Sequence, residues 1–278
     1  MLIQPTPWTR TPSQILGLNR ANPLTRGLYV AYYVVGSGAR DSSRYLPAEK
    51  ASGIVITGNR MDFDEGDGEI KLGVSGSSSQ ADGAAIPFLS STSFSAYSIA
   101  TPRGLANRRS LFSFMIGNAP VLAMGYTDSS AVFSYLTNST YLPESAAGTF
   151  VDGQRAGFGM TWSSTRASPT GAFFKNGRRT AGVDHSGADT TISTTADNNQ
   201  LGISCTSNAD RVGWQGTQEL CLMWNTLLTD SQMAAVHANP WALFAPMRRR
   251  FWVNAFGSSS TVLNIFSGRG GNAAQPVC

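Results

Sequence analysis

Ser93-Phe94-Ser95-Ala96-Tyr97-Ser98-Ile99-Ala100-Thr101 alternates with period two, setting Phe94, Ala96, Ser98 and Ala100 on one face. Alternation sustained over this length marks a β-strand with at least one buried face. The pattern recurs in Gly157-Phe158-Gly159-Met160-Thr161-Trp162, where Phe158, Met160 and Trp162 share a face. Upstream, Leu28 to Val35 (LYVAYYVV) is a continuous apolar run of strand length, rich in Tyr and Val. Further strands are expected at 53–57, 61–63, 69–72, 111–116, 132–136, 201–205 and 217–224. Phe173-Phe174-Lys175-Asn176-Gly177-Arg178-Arg179 contains Asn-Gly, the strongest two-residue hairpin signal. About a dozen short strands joined by Gly-rich turns mean a sandwich or a barrel.

One helix is expected among the strands. Thr229-Asp230-Ser231-Gln232 has the form of a capping box, and Met233, Val236 and His237 then fall on one face. Asn239-Pro240 stops it.

The composition agrees. In 278 residues, 41% are hydrophobic and 10% aromatic, enough to bury a sizeable core and to exclude a disordered chain. Only 14% are charged, which excludes coiled coils and long solvated helices. The formal net charge is +4, with eighteen Arg against three Lys. Arg suits bidentate and partly buried contacts. The one basic run is Arg248-Arg249-Arg250, and without a continuous basic stripe no nucleic-acid partner is expected. No apolar run approaches about 18 residues, so no membrane insertion is expected, and Met1-Leu2-Ile3-Gln4-Pro5 does not read as a signal peptide. Cys205, Cys221 and Cys278 lack metal spacing. Either they stay reduced, or Cys205 and Cys221 pair across neighbouring strands.

Three regions follow: an extended arm at 1–26, one β-domain at 27–245 and an extension at 246–278. Pro5, Pro7, Pro12 and Pro23 favour extended chain in the arm, and Trp8, Ile15, Leu16 and Leu18 give it apolar anchors. Such an arm packs along its own domain or reaches a neighbouring subunit. In the extension, Arg248, Arg249, Arg250 and Trp252 are residue types that make interface hot spots. With Trp8, Arg10, Ile15 and Leu16 they are the candidate partner contacts.

Several stretches, in order, resemble a known family. Arg60 to Ile70 (RMDFDEGDGEI) resembles the strand-turn-strand opening of laminin-G-like, concanavalin-A-like jelly rolls. Ser93 to Ile99 looks like their next core strand, Phe158 to Ser163 the strand before their hairpin, and Phe174-Lys175-Asn176-Gly177-Arg178 the hairpin itself. Gln200 to Ile203, Gly216 to Asn225 and the helix from Thr229 resemble the end of the domain. The flanks Asn22-Pro23-Leu24-Thr25-Arg26-Gly27-Leu28 and His237 to Pro246 look like those of tailed-bacteriophage and prophage proteins carrying this domain. The resemblance implies an all-β jelly-roll sandwich with an N-terminal arm and one short C-terminal helix. It implies a structural virion component, assembled in the bacterial cytoplasm as capsid decoration or tail appendage, meeting other virion proteins and copies of itself.

Four stretches carry residue types that could do chemistry. Glu65-Gly66-Asp67-Gly68-Glu69 matches the lettering of the paired-carboxylate strand of related glycosidases, but two Gly suit a turn, which cannot hold carboxylates at a fixed separation. The same acidic turn is either simply solvated or a Ca²⁺ site, with Asp64 and Asp67 the better ligands. Asp184-His185-Ser186 is not a triad, since neighbours on an extended loop point apart, and His237 reads as a packed or capping residue. Tyr126, Asp128, Tyr141, Asn198 and Asn208 are the residue types that lectins use on sugars. The sequence therefore predicts no enzyme, no catalytic residue and no resident cofactor. Taken with the resemblance, the expectation is a virion structural protein or, alternatively, a host-glycan-binding module displayed on the virion.

Overall fold

A computed structural model describes residues 16–35, 38–41, 48–52, 54–57, 60–63, 69–72, 93–104, 109–116, 119–127, 132–137, 140–143, 149–163, 171–183, 199–203 and 212–246. The chain lays down β1 (Leu16–Leu18), a 3-10 turn at Pro23–Thr25, β2 (Leu28–Val35), β3 (Gly38–Asp41), β4 (Ala48–Ser52), β5 (Ile54–Thr57), β6 (Arg60–Phe63) and β7 (Glu69–Leu72). There follow β8 (Ser93–Pro102), β9 (Arg109–Ile116), β10 (Ala119–Thr127), β11 (Val132–Thr137) and β12 (Thr140–Pro143). Next come β13 (Ala156–Ser163), β14 (Gly171–Lys175), β15 (Arg178–Val183), β16 (Asn199–Ile203), β17 (Val212–Gly213) and β18 (Gly216–Trp224). Helix α1 (Asp230–Ala238), a 3-10 turn at Pro240–Leu243 and β19 (Phe244–Pro246) end the described chain.

These strands make two layers of a jelly-roll sandwich. One sheet runs β12-β11-β10-β9-β16-β7-β4, with β17 parallel to β9. The other runs β15-β14-β13-β8-β18-β2-β3, with β6 on β18 and β5 on β6. Every pairing but β17–β9 is antiparallel among the described residues. The core between the layers takes the faces that alternation assigns: Phe94, Ala96 and Ala100 from β8, and Phe158, Met160 and Trp162 from β13. Phe112 of the facing sheet meets Phe94 edge-on, ring centroids 5.6 Å apart. The side chain of Gln218 donates to Ser98 Oγ at 2.8 Å and to the Leu111 carbonyl at 3.4 Å, tying β18 to the opposite layer.

The second sheet is buried on its other face as well. Leu28, Ala31, Tyr33, Tyr97, Ile99, Phe174, Leu220, Leu222 and Trp224 form a second apolar cluster with Met233 and Val236 of α1 and with Leu243 and Phe244. All eight residues of β13 are buried. Two-sided burial is what the unbroken run Leu28 to Val35 requires, because a strand with one wet face would alternate.

Three features depart from the simple reading. β6 and β7, on either side of the acidic turn, belong to different sheets, so the chain changes layer there instead of folding back as a hairpin. β10 was not expected, since Pro120 and Gly125 interrupt its pattern; both stand at shifts of register against β9, where a strand tolerates them. The strand expected at 201–205 is observed at Asn199–Ile203.

Residues 16–26 lie along the domain. β1 pairs antiparallel with β19, Leu16 opposite Pro246 and Leu18 opposite Phe244. The Asn19 amide donates to Leu243 at 2.8 Å, and the indole of Trp224 donates to the Leu24 carbonyl at 2.7 Å. Leu18 and Leu24 pack on the outer cluster.

Candidate functional site

Titratable groups gather on the outer face of the second sheet, under α1. Tyr97 rises from β8, and His237 descends from the last turn of α1. The Tyr97 hydroxyl and His237 Nδ1 are 2.8 Å apart. Beside them, Arg155 and Glu219 form a bidentate pair, Nε to Oε1 at 2.6 Å and the second nitrogen to Oε2 at 2.7 Å. Glu219 stands where the β18–β8 register shifts, between Gln218 and Leu220. That irregularity gives an acid a place in a buried strand.

Local sequence fixes this geometry. The expected capping box forms: Thr229 Oγ1 accepts from the Gln232 amide, and the Gln232 side chain accepts from the Thr229 amide. It starts the helix where Met233 and Val236 turn inward and His237 lands over β13. The seat is glycine. A Cβ on Gly157 would collide with the Tyr97 hydroxyl and stand 2.8 Å from His237 Nδ1. Asn176 (φ 51°) and Gly177 (φ 73°) make the hairpin turn, in the left-handed geometry that the Asn-Gly pair favours. The turn is clamped to β13, since the Asn176 amide donates to the Gly157 carbonyl at 2.7 Å and Asn176 Oδ1 accepts from the Gly157 amide at 2.9 Å.

Burial pushes the Tyr97 phenol far above its usual range. Burial, and then the Arg155 charge, push His237 below its usual value. Tyr97 therefore stays protonated, and its hydroxyl is hydrogen-bonded to an imidazole whose neutral form is favoured. Glu219 is 3% exposed and already holds the Arg155 fork, and Tyr97 is fully buried. These groups are paired with one another and turned inward, an arrangement that holds a helix onto a sheet.

Candidates from the sequence separate accordingly. His237 is packed, as its place on the helix face predicts. Cys221 is buried in the sandwich core. Leu16 lies in β1, opposite Pro246. Tyr126 and Tyr141 lie in β10 and β12 of the first sheet, facing Phe133 and Leu136 of β11. Trp8, Arg10, Ile15, Asp64, Asp67, Asp128, Asp184, His185, Ser186, Asn198, Cys205, Asn208, Arg248, Arg249, Arg250 and Trp252 lie outside the described residues. Among the described residues, no group of three His, Cys, Asp or Glu could hold a metal ion. Sequence reasoning missed Tyr97, Arg155 and Glu219. The signal was Glu219 itself, a lone acid beside the apolar run Leu220 to Trp224, which must find a cation.

Helix α1, the turn at Pro240–Leu243 and the β1–β19 ribbon all belong to the second sheet's outer face.

No family model matches the chain, and no curated protein matches it. Solved structures do. Domain 4 of AbnA, a GH43 extracellular arabinanase from Geobacillus stearothermophilus, solved in complex with arabinotriose, is similar at TM-score 0.50 and 15% identity, over 76% of this chain and 98% of that one. Trypanosoma rangeli sialidase in complex with the inhibitor DANA is similar at TM-score 0.53 and 15% identity, over 76% of this chain. The present chain spans about a third of the sialidase, 32% of its length. At such identities the likeness is one of fold, and it agrees with the jelly-roll sandwich.

Proposed function

We propose that the chain is a carbohydrate-binding β-sandwich module that holds a glycan without cleaving it. The supporting observation is the match, over 76% of this chain and 98% of the other, to a domain solved in complex with arabinotriose. The layering favours the first sheet as the binding side, because the second sheet's outer face is taken by its helix and ribbon. Tyr141, in β12 of the first sheet, is the residue to test, since an aromatic ring offers a sugar an apolar face. Titration with arabinotriose, followed by a glycan array, should give saturable binding that Tyr141→Ala weakens about tenfold, near 1.4 kcal/mol. Absence of saturation by every sugar on the array overturns the reading, and release of free sugar would make the chain an enzyme.

A second reading is a structural component of a bacteriophage virion, capsid decoration or tail appendage, meeting other virion proteins and copies of itself. The β1–β19 ribbon favours it, because it pairs Leu16 with Pro246, the described residues nearest the two flanks in sequence. Particles lacking the protein should capture wild type and fail to capture a Trp8→Ala/Trp252→Ala variant. Equal capture of both would count against it.

A further inference from the structure

An unpaired strand edge offers its backbone donors and acceptors to another chain. Among the described residues, the first sheet ends in β12 and β4 and the second in β15 and β3, with β5 carried on β6 as a further edge. Four of these five edges are guarded by their own sequence. β3 carries Arg40 and Asp41, β15 carries Arg178 and Arg179, and β12 closes on Pro143. β4 has Glu49 and Lys50 where its register against β7 shifts. Charge, proline and bulges all keep an edge from pairing.

β5 has none of these. It reads Ile54-Val55-Ile56-Thr57, uncharged and wholly β-branched, and its register with β6 is unbroken. β6 is its one strand partner among the described residues. Ile54 and Ile56 pack on the inner cluster, so Val55 between them points to the outer face of the second sheet. It is 59% exposed, the most exposed large apolar side chain among the described residues.

We infer that β5 is a dimerisation edge, pairing antiparallel with β5 of a second copy about a two-fold axis through Val55. That register sets Ile54 against the partner subunit's Ile56 on the inward face, and Val55 against the partner subunit's Val55 on the outer one. Cross-strand pairs of β-branched residues stabilise a sheet. The self-match names the occupant: a two-fold pairing uses one patch twice and closes at two copies, and an uncharged strand brings no repulsion to it. A pairing four residues long is small, so the dimer is weak. The axis stands perpendicular to the second sheet, so both first sheets lie on the same side of the dimer. Two binding sides then meet one polymeric glycan and gain avidity. That consequence rests on the glycan reading; the dimer does not.

The test uses the full chain. Sedimentation velocity from about 2 to about 200 µM should show the mass rising from monomer towards dimer. Val55→Lys, which sets two ammonium groups side by side, should weaken association about tenfold or more, with an unchanged thermal midpoint as the sign that it folds. In a Cys205→Ser/Cys278→Ser background, Val55→Cys should oxidise to a disulfide-linked dimer, because facing residues stand about 5 Å apart. Thr57→Cys should not, since the same axis holds the two copies of that residue about 13 Å apart. A monomer at every concentration overturns the dimer and leaves the edge to an extended strand of another protein. Association that Val55→Lys does not weaken overturns this edge, and equal crosslinking of the two cysteine variants overturns the register.

Discussion

The Tyr97 hydroxyl meets Nδ1 of His237 at 2.8 Å across 140 residues of sequence, joining a central strand of the second sheet to the helix that covers it. The contact exists because Gly157, between them, has no side chain.

Gly157→Ala places a methyl group on that contact. Overpacking and the lost hydrogen bond together should cost about 2–4 kcal/mol, read as a lower urea midpoint with an unchanged slope. A variant as stable as wild type would show that the helix does not sit where described.

Acid should loosen the same contact. His237 is held below its ordinary value of 6.5 in the folded chain, so the unfolded chain binds the proton more readily. Stability should therefore be full above about pH 6.5 and fall as pH drops below it. His237→Asn, which cannot titrate, should flatten that part of the profile measured by thermal unfolding between pH 5 and pH 8.

The Arg155–Glu219 pair should be asymmetric. Glu219 is nearly sealed, whereas the Arg155 side chain is 24% exposed. Arg155→Met strands a buried carboxylate, and about 2–3 kcal/mol is expected, the full buried-pair cost discounted for that exposure. Glu219→Gln leaves a guanidinium that can still reach water and should cost less. Chemical denaturation of the two variants reads the order, and the reverse order would contradict it.

Thr229→Ala removes the side-chain acceptor of the capping box and should cost about 1 kcal/mol, seen as a lower thermal midpoint.

Much of the fold was legible because its signals are local. Period-two alternation marked β8 and β13 and named their inner residues, Asn176-Gly177 marked the β14–β15 turn, and Thr229 with Gln232 marked the helix start. What stayed hidden depends on distant partners. β10 carries Pro120 and Gly125, whose meaning is set by its register against β9. The outer cluster was invisible because Tyr97 and Ile99 find their cover only when α1 and β19 arrive, more than 130 residues later. The pairing of Arg155 with Glu219 is likewise a property of neighbouring strands, not of either stretch of sequence.

The closure of β1 on β19 has an engineering consequence. With Leu16 facing Pro246, a linker of a few residues could seal 16–246 into a ring without moving a strand, and the ring could be reopened at the exposed stretch 151–154 to give a circular permutant. By the same geometry the sandwich could be spliced into a surface loop of a host protein, both connections leaving through one doorway.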